Sequence, residues 1–424
     1  MPIHPRTLNI KSFKGLHNRL DPEHTPQDYL KTVDNIDIDI SGSLNKREGY
    51  IRVDSANYSC LWSSTNGLGC YAVRNGDLVR INSDLSHSTL KSNVGNTKLS
   101  FEEVDGLVYF SSDSTNGIID NGSVRSFGIT KNTLTSVLSV VPGTLPAGTY
   151  QVSFSYVSSN GRESGTSVAS QIVVPDNSGI SLYIPTHIDS NISFARIYCS
   201  NQNSETLFYS GISLLGMNYV VSTLSNLSNP LRVFNLDKAP LGHILSYYKG
   251  RMYVASDNIL WYSEPFQYEY YRLDSNYIEF PDKITAIMPS EDGIWIGSDK
   301  LYYLQGDNPD SFRRITKDIS KVVEGTSTRV SGSYSVIDGL PPGYKWVVTT
   351  DLGLYILCDQ GTLLNATSAT VAISKANSGN SMFLQNNGMN RYLSILKTDS
   401  DPINSASLGD LVETSIVRNG VTIP

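Results

Sequence analysis

Charge is scarce in this sequence. Asp, Glu, Lys and Arg make up 17% of its 424 residues, against about a quarter in ordinary soluble chains. The polar surface must therefore come largely from Ser, Asn, Thr and Tyr. The charge that is present sums to −7, which argues against a protein that grips nucleic acid through a basic face. It leaves room for one that DNA slides past, because a mildly acidic wall repels phosphate. Cysteine is scarce too: Cys60, Cys70, Cys199 and Cys358 form no C-x-x-C pair and the six histidines are scattered, which excludes the usual zinc spacings. No run of eighteen apolar residues exists, so no membrane-spanning helix is expected. The opening MPIHPRTLNIKSFKGL carries no apolar h-region, so the expectation is a protein without an export signal, its thiols reduced and mostly buried.

Helical periodicity is almost missing as well. One short candidate stands out, PQDYLKTVDN at residues 26–35, with Thr25 as N-cap and Pro26 at the first helical position. It would close an extended N-terminal arm over residues 1–34. The arm's IKSFKGLHNRL supplies Phe13, Leu16 and Leu20 as anchors, on the same subunit or on a neighbour.

What fills the sequence is β spelling: short branched or aromatic runs broken by Gly, Asn, Asp and Ser. Tyr outnumbers Phe, 25 to 12, as suits strands whose rings pack while their hydroxyls stay wet. One pattern recurs, a glycine turn and strand followed by a polar turn and strand. It occurs at 68–81, 105–129, 249–265, 292–307 and 352–367, and less clearly at 381–396. One small sheet cannot bury both faces, and repetition solves that by stacking sheets radially. The pattern therefore predicts an all-β chain, a β-propeller of five or six blades, occupying 35–141 and 236–424.

Between the second and third copies the rhythm changes. In GTYQVSFSYVSSNGRESGTS, Tyr150, Val152, Phe154 and Tyr156 alternate with polar residues, and Asn160-Gly161 offers a tight turn. ISLYIP, FARIYCS and TLFYSG follow. This predicts an inserted seven-stranded sandwich of the fibronectin type III kind over 142–235.

DIDISGSLNKRE, residues 37–48, fits a calcium-loop template, with Asp37, Asp39, Ser41 and Glu48 as candidate metal ligands and Gly42 at the turn. Such a loop needs helices on both sides. Here the flanks alternate with period two, with Ile36, Ile38 and Ile40 on one face. The preferred reading is a hairpin turning at Ser41-Gly42-Ser43, with no metal and no cofactor.

That hairpin also resembles one in the tail nozzle (tail hub) proteins of short-tailed bacteriophages. Asn35, Gly42, Leu44, Arg47, Gly49 and Tyr50 match their N-x-D/E…G-x-L-x-x-R-x-G-Y pattern. Gly250, Arg251, Tyr253, Ala255, Tyr262, Ser263, Glu264 and Pro265 match G-R-M/L-Y-x-A…W/Y-S-E-P. The family's G-L-N start is interrupted here, as Gly15-Leu16-His17-Asn18. The resemblance implies a propeller with an added β domain. Copies, six in number, would form a homo-oligomeric ring below the portal or its adaptor. Tail fibre or spike and plug proteins would be further partners, with transient passage of double-stranded DNA. The location implied is the virion tail, with assembly in the host cytoplasm.

A propeller can also bind glycans or cleave them. SEDGIW at 290–295 is a contracted imitation of the sialidase Asp-box, read here as a turn and a strand start. No G-x-S-x-G, P-loop or H-E-x-x-H occurs, so a carbohydrate-active enzyme is the third choice after a nozzle and a receptor- or glycan-binding propeller. The ring cluster Trp261, Tyr262, Phe266, Tyr268, Tyr270 and Tyr271 has strand-like spacing, which favours packing over sugar stacking. Tyr268, Tyr270 and Tyr271 are also candidates for a subunit interface.

Overall fold

A computed structural model describes residues 10–33, 36–39, 41–46, 54–330, 340, 343–373, 375–386, 389–397, 411–413, 416–418 and 421–423. The fold is all-β, of the propeller class in its building unit, the small antiparallel meander. By compactness the chain divides into two units. One is Met1–Tyr58, Ala255–Ile259 and Glu279–Pro424; the other is Ser59–Val254 and Leu260–Ile278.

The second unit holds three such sheets. Sheet I pairs Tyr58–Ser63, Cys70–Arg74, Asp77–Ile81 and His87–Lys91 in chain order. Sheet II does the same with Ser100–Val104, Leu107–Ser111, Asn116–Asp120 and Ser123–Arg125, and sheet III with Ile244–Tyr248, Arg251–Ser256, Ile259–Glu264 and Gln267–Tyr271, a fifth strand, Tyr277–Glu279, pairing also on Ile259–Glu264. Consecutive sheets bury their faces on each other. Tyr71, Val73 and Leu78 of sheet I meet Phe101, Val108 and Phe110 of sheet II in one core. Tyr109 and Ile118 of sheet II meet Met252, Val254, Tyr268 and Tyr271 of sheet III in the next. These strands form where branched and aromatic residues sit between turns able to take positive φ, such as Asn75-Gly76 and Asp105-Gly106.

The sandwich is spliced between sheets II and III. Leu138–Leu145, Ser178–Tyr183 and Asn218–Val221 form one layer. The other layer has Gly148–Ser158 at its centre, flanked by Ile192–Ser200 and then Leu207–Leu214 on one side and by Glu163–Thr166 and Ser170–Val174 on the other. The alternating set Tyr150, Val152, Phe154 and Tyr156 points inward onto Ile180, Leu182, Ile197 and Cys199. The layers hold three and five strands, one more in total than the seven expected, because the stretch after Asn160-Gly161 breaks into two short strands on the same partner.

The first unit contains sheet IV (Ala286–Pro289, Gly293–Gly297, Lys300–Gln305, Arg313–Ser320) and sheet V (Thr328–Val330, Lys345–Thr350, Gly353–Leu357, Leu363–Asn365). Sheet VI has three strands, Ser378–Asn386, Met389–Lys397 and Leu411–Glu413. Trp295 and Tyr303 of sheet IV pack on Val348, Tyr355 and Leu357 of sheet V. Val347 and Ile356 of sheet V pack on Tyr392 of sheet VI. Among the described residues there are thus six meander sheets.

The helix expected at 26–35 does not form over its described residues. Asp28 O and Leu30 O accept from Lys14 N–H and His17 N–H, and Leu30 N–H donates to Gly15 O. The backbone groups a helix would use internally are given instead to the N-terminal arm, through a parallel bridge Leu16–Leu30. Only a short 3-10 turn, Pro22–His24, remains nearby.

Candidate functional site

The 37–48 stretch is a hairpin over its described residues, Ile36–Ile38 pairing with Leu44–Lys46. The Asp39 carboxylate is spent within its own turn. Oδ1 accepts from Ser41 N–H at 2.8 Å and Ser43 N–H at 3.0 Å, and Oδ2 from Asn45 Nδ2 at 3.1 Å. The Ser41 hydroxyl, with these amides, holds the carboxyl below its ordinary range. Asp37 is turned to Arg391, 2.8 Å away. Gly42 has φ +80° and lies against the arm, where an added Cβ would fall 2.5 Å from Ser12 Cβ. Ile40, Arg47, Glu48, Gly49 and Tyr50 lie outside the described residues, as does Asn35.

The arm is laid on its own unit. Phe13 N–H donates to Gly42 O, Asn18 exchanges bonds with Ala372, and Arg19 Nε donates to Val371 O. Phe13 and Leu16 are half-buried in this way, and Leu20 is exposed. The SEDGIW stretch is the turn between the first two strands of sheet IV, running into the second. Ser290 N–H donates to Gly293 O, and the indole of the fully buried Trp295 donates to Cys358 O at 2.9 Å.

The aromatic cluster divides: Tyr262, Tyr268 and Tyr271 are interior packing, Trp261 and Tyr270 are half-buried, and Phe266 is exposed. Tyr271 is fully buried with its hydroxyl donating to Met252 O, and Tyr268 is buried edge-on to Tyr109. These two rings offer no face to a neighbouring subunit. Tyr270 reaches the sandwich instead, its hydroxyl donating to Glu163 O at 2.7 Å, and burial pushes that phenol up to about 12.

Tyr270 belongs to a clamp that sequence reading missed. Glu269, the residue before it in sheet III, accepts from Arg125 Nη1 of sheet II at 2.6 Å and from Arg162 Nε of the sandwich at 3.0 Å. Arg162 Nη2 also bonds this carboxylate, and donates to Ser126 O at 3.1 Å. One carboxylate thus ties three modules. Beside it, Glu163 holds Arg196 and accepts from Tyr198 OH at 2.6 Å. The backbone closes as tightly: a Cβ on Gly165 would fall 1.8 Å from Leu236 O, so only glycine lets the sandwich meet the returning linker. No sequence motif marks these residues, because the partners lie up to 144 positions apart.

The clamp borders a cleft of about 710 Å³ in the same unit, lined by both linkers that join sandwich to sheets. Its walls carry Lys91, Arg125, Lys131 and Lys238 against one carboxylate, Asp237, with Ser114, Thr115, Asn116, Ser126, Thr130 and Thr133 between them. Lys131 pairs with Asp237 at 2.8 Å. Asn116 Nδ2 donates to Ala239 O and Pro240 O, which fixes the returning linker. Lys91 is half-buried. Its ammonium donates to Thr115 Oγ1 at 2.8 Å and sits 5.7 Å from the Phe110 ring centroid. Among the described residues neither Lys91 nor Lys238 has a carboxylate partner. Burial pulls the Lys91 ammonium below its ordinary range. Chemically, the cleft can receive an anion surrounded by hydroxyl and amide partners. Among the described residues no group of three or more His, Cys, Asp or Glu could hold a metal ion, and no helix is long and apolar enough to cross a membrane.

No protein-family model matches the chain, and no curated protein does. Solved structures do resemble it. BBS1N in complex with ARL6DN aligns over 81% of this chain and 90% of its own, at 9% identity and TM-score 0.33. Kluyvelomyces marxianus Hsv2 aligns over 81% and 89%, at 8% identity and TM-score 0.30. Saccharomyces cerevisiae Sqt1 aligns over 73% of each chain, at 11% identity and TM-score 0.28. The fold assignment rests on the strand pairing described above.

Proposed function

We propose that this chain is a non-enzymatic structural protein of a virion, the ring-forming nozzle at the far end of a short phage tail. The observation that carries the reading is the ordered run of nozzle-like motifs, together with what their residues do. Arg251 Nη1 donates to Ser263 O, Ser263 Oγ accepts from Met252 N–H at 3.0 Å, and Glu264 accepts from Arg272 and Asn276. These are the joints of a blade, as expected of a motif that preserves architecture. The clamp at Glu269 supports the same reading, since a part that holds back packaged DNA needs its added domain fixed to its blades.

In this reading six copies form a ring beneath the portal or adaptor. Loops close a narrow channel until a plug or fibre partner shifts, and DNA then passes a wall repelled by the chain's net −7 charge. The test is electron microscopy of the particle that carries the protein, with an antibody or fused tag marking it. A labelled ring at the tail tip is expected. Label on the capsid, or on fibres alone, refutes the reading.

A second reading, a receptor- or glycan-binding propeller, is favoured by one observation, the cationic cleft. A saturable, sugar-dependent rise in melting temperature would support it.

A further inference from the structure

We propose that the cleft beside the linkers binds a saccharide bearing one anionic group, a carboxylate or a phosphate. This deepens the glycan-binding reading and is independent of ring assembly. Four cationic side chains converge on the cleft in a chain whose net charge is −7. Two of them, Arg125 and Lys131, already hold carboxylates. Lys91 and Lys238 do not. A half-buried ammonium with a single hydroxyl acceptor is under-satisfied, and an anion seated on it recovers a charge-assisted bond. Burial pulls the Lys91 pKa down, which marks this ammonium as the under-solvated one.

The rest of the lining selects the body of the ligand. Ser114, Thr115, Ser126, Thr130 and Thr133 supply hydroxyls that both donate and accept, as sugar hydroxyls require. No aromatic side chain lines the cleft, so it lacks the stacking platform that nucleotides and single-stranded nucleic acid use. The volume, about 710 Å³, lies within the range of small-molecule sites. The floor is pre-formed, since Asn116, Lys131 and Arg125 are fixed by their own bonds.

The experiment is titration calorimetry of the full chain at low salt with glucuronate, glucose 6-phosphate, neutral glucose, inorganic phosphate and a short single-stranded oligonucleotide. One of the two sugar anions should bind saturably, at least about tenfold more tightly than glucose and than inorganic phosphate. Comparing the two identifies carboxylate or phosphate as the preferred group. Lys91→Met should weaken binding at least about tenfold. Lys238→Gln, at an exposed position, should weaken it severalfold and guards against a folding defect in the first variant. Equal binding of glucose or inorganic phosphate, tighter binding of the oligonucleotide, or indifference to both substitutions overturns the proposal. If neither sugar anion binds while neutral glycans still shift melting, this site is overturned and the binding reading stands. Silence in both assays overturns both.

Discussion

Replacing Glu269 by Gln tests whether one carboxylate holds three modules together. The shape is kept and the charge is lost, leaving Arg125 and Arg162 facing a neutral amide. All three side chains are about one-fifth exposed, so the pairs are neither buried nor freely solvated. At an effective dielectric of about 20, a unit charge pair 4 Å apart is worth about 4 kcal/mol before desolvation. Breaking a fully buried pair costs about 3–5 kcal/mol and an exposed one under about 1. Two partners at intermediate exposure give an expected loss of about 3 kcal/mol. For a compact unit the size of Ser59–Val254 with Leu260–Ile278, that lowers Tm by roughly 6–12 °C. Calorimetry measures the loss, and hydrogen exchange locates it. Amides of Glu163–Thr166 and of the 233–239 linker should exchange faster, while the sandwich core around Phe154 should not. A loss under about 0.5 kcal/mol, as for an ordinary surface charge, refutes the clamp. So does a loss with no local change in exchange.

The clamp's backbone half is tested by Gly165→Ala. The methyl would overlap Leu236 O, so a loss of about 2–4 kcal/mol is expected by urea unfolding, and a neutral result would mean that the strand and linker are not in contact. Trp295→Phe removes the donor to Cys358 O and part of a buried ring, at a cost of about 2–4 kcal/mol; a loss below about 1 kcal/mol contradicts the packing described. Burial pushes the Cys199 thiol from 9 up to about 12, so the folded state holds its proton more tightly than the unfolded state between those values. This part of the stability is complete below pH 9 and is lost above it at about 1.4 kcal/mol per pH unit. Cys199→Ala should flatten the slope of stability between pH 9 and 10.5, and an unchanged slope refutes the assignment. Asp39, held low by its turn, acts in the opposite sense: its contribution is present above the ordinary carboxylate range and lost as pH falls through its depressed pKa. Titration by NMR should find it below the ordinary carboxylate range.

The all-β class and the inserted sandwich were legible because period-two alternation carries through to burial, as Tyr150, Val152, Phe154 and Tyr156 show. The repeats at 68–81, 249–265 and 292–307 mark the two central strands of their sheets. The outer strands escaped the pattern because they are half-exposed and polar: HSTLK closes sheet I and RRITKDIS closes sheet IV. The apparent helix at 26–35 shows the opposite failure. Its cap residues fit a helix, but the arm offers its backbone groups partners that no local rule sees. Likewise Tyr268 and Tyr271 look available in sequence and are walled in by Tyr109 and Phe127. The cleft and clamp were illegible because the cleft draws its residues from sheets I and II and both linkers, and the clamp from sheets II and III, the sandwich and both linkers, joined only by folding.

The bonds at Glu269 and Tyr270, with the close approach at Gly165, have a mechanical meaning. A domain spliced into a chain by two strings would swing, and a pull on it would be lost in slack. Here two fastenings tie the sandwich to sheet III and a third ties it to the returning linker. A load applied to the sandwich's far end would reach the blade as torque, with little travel wasted on the way.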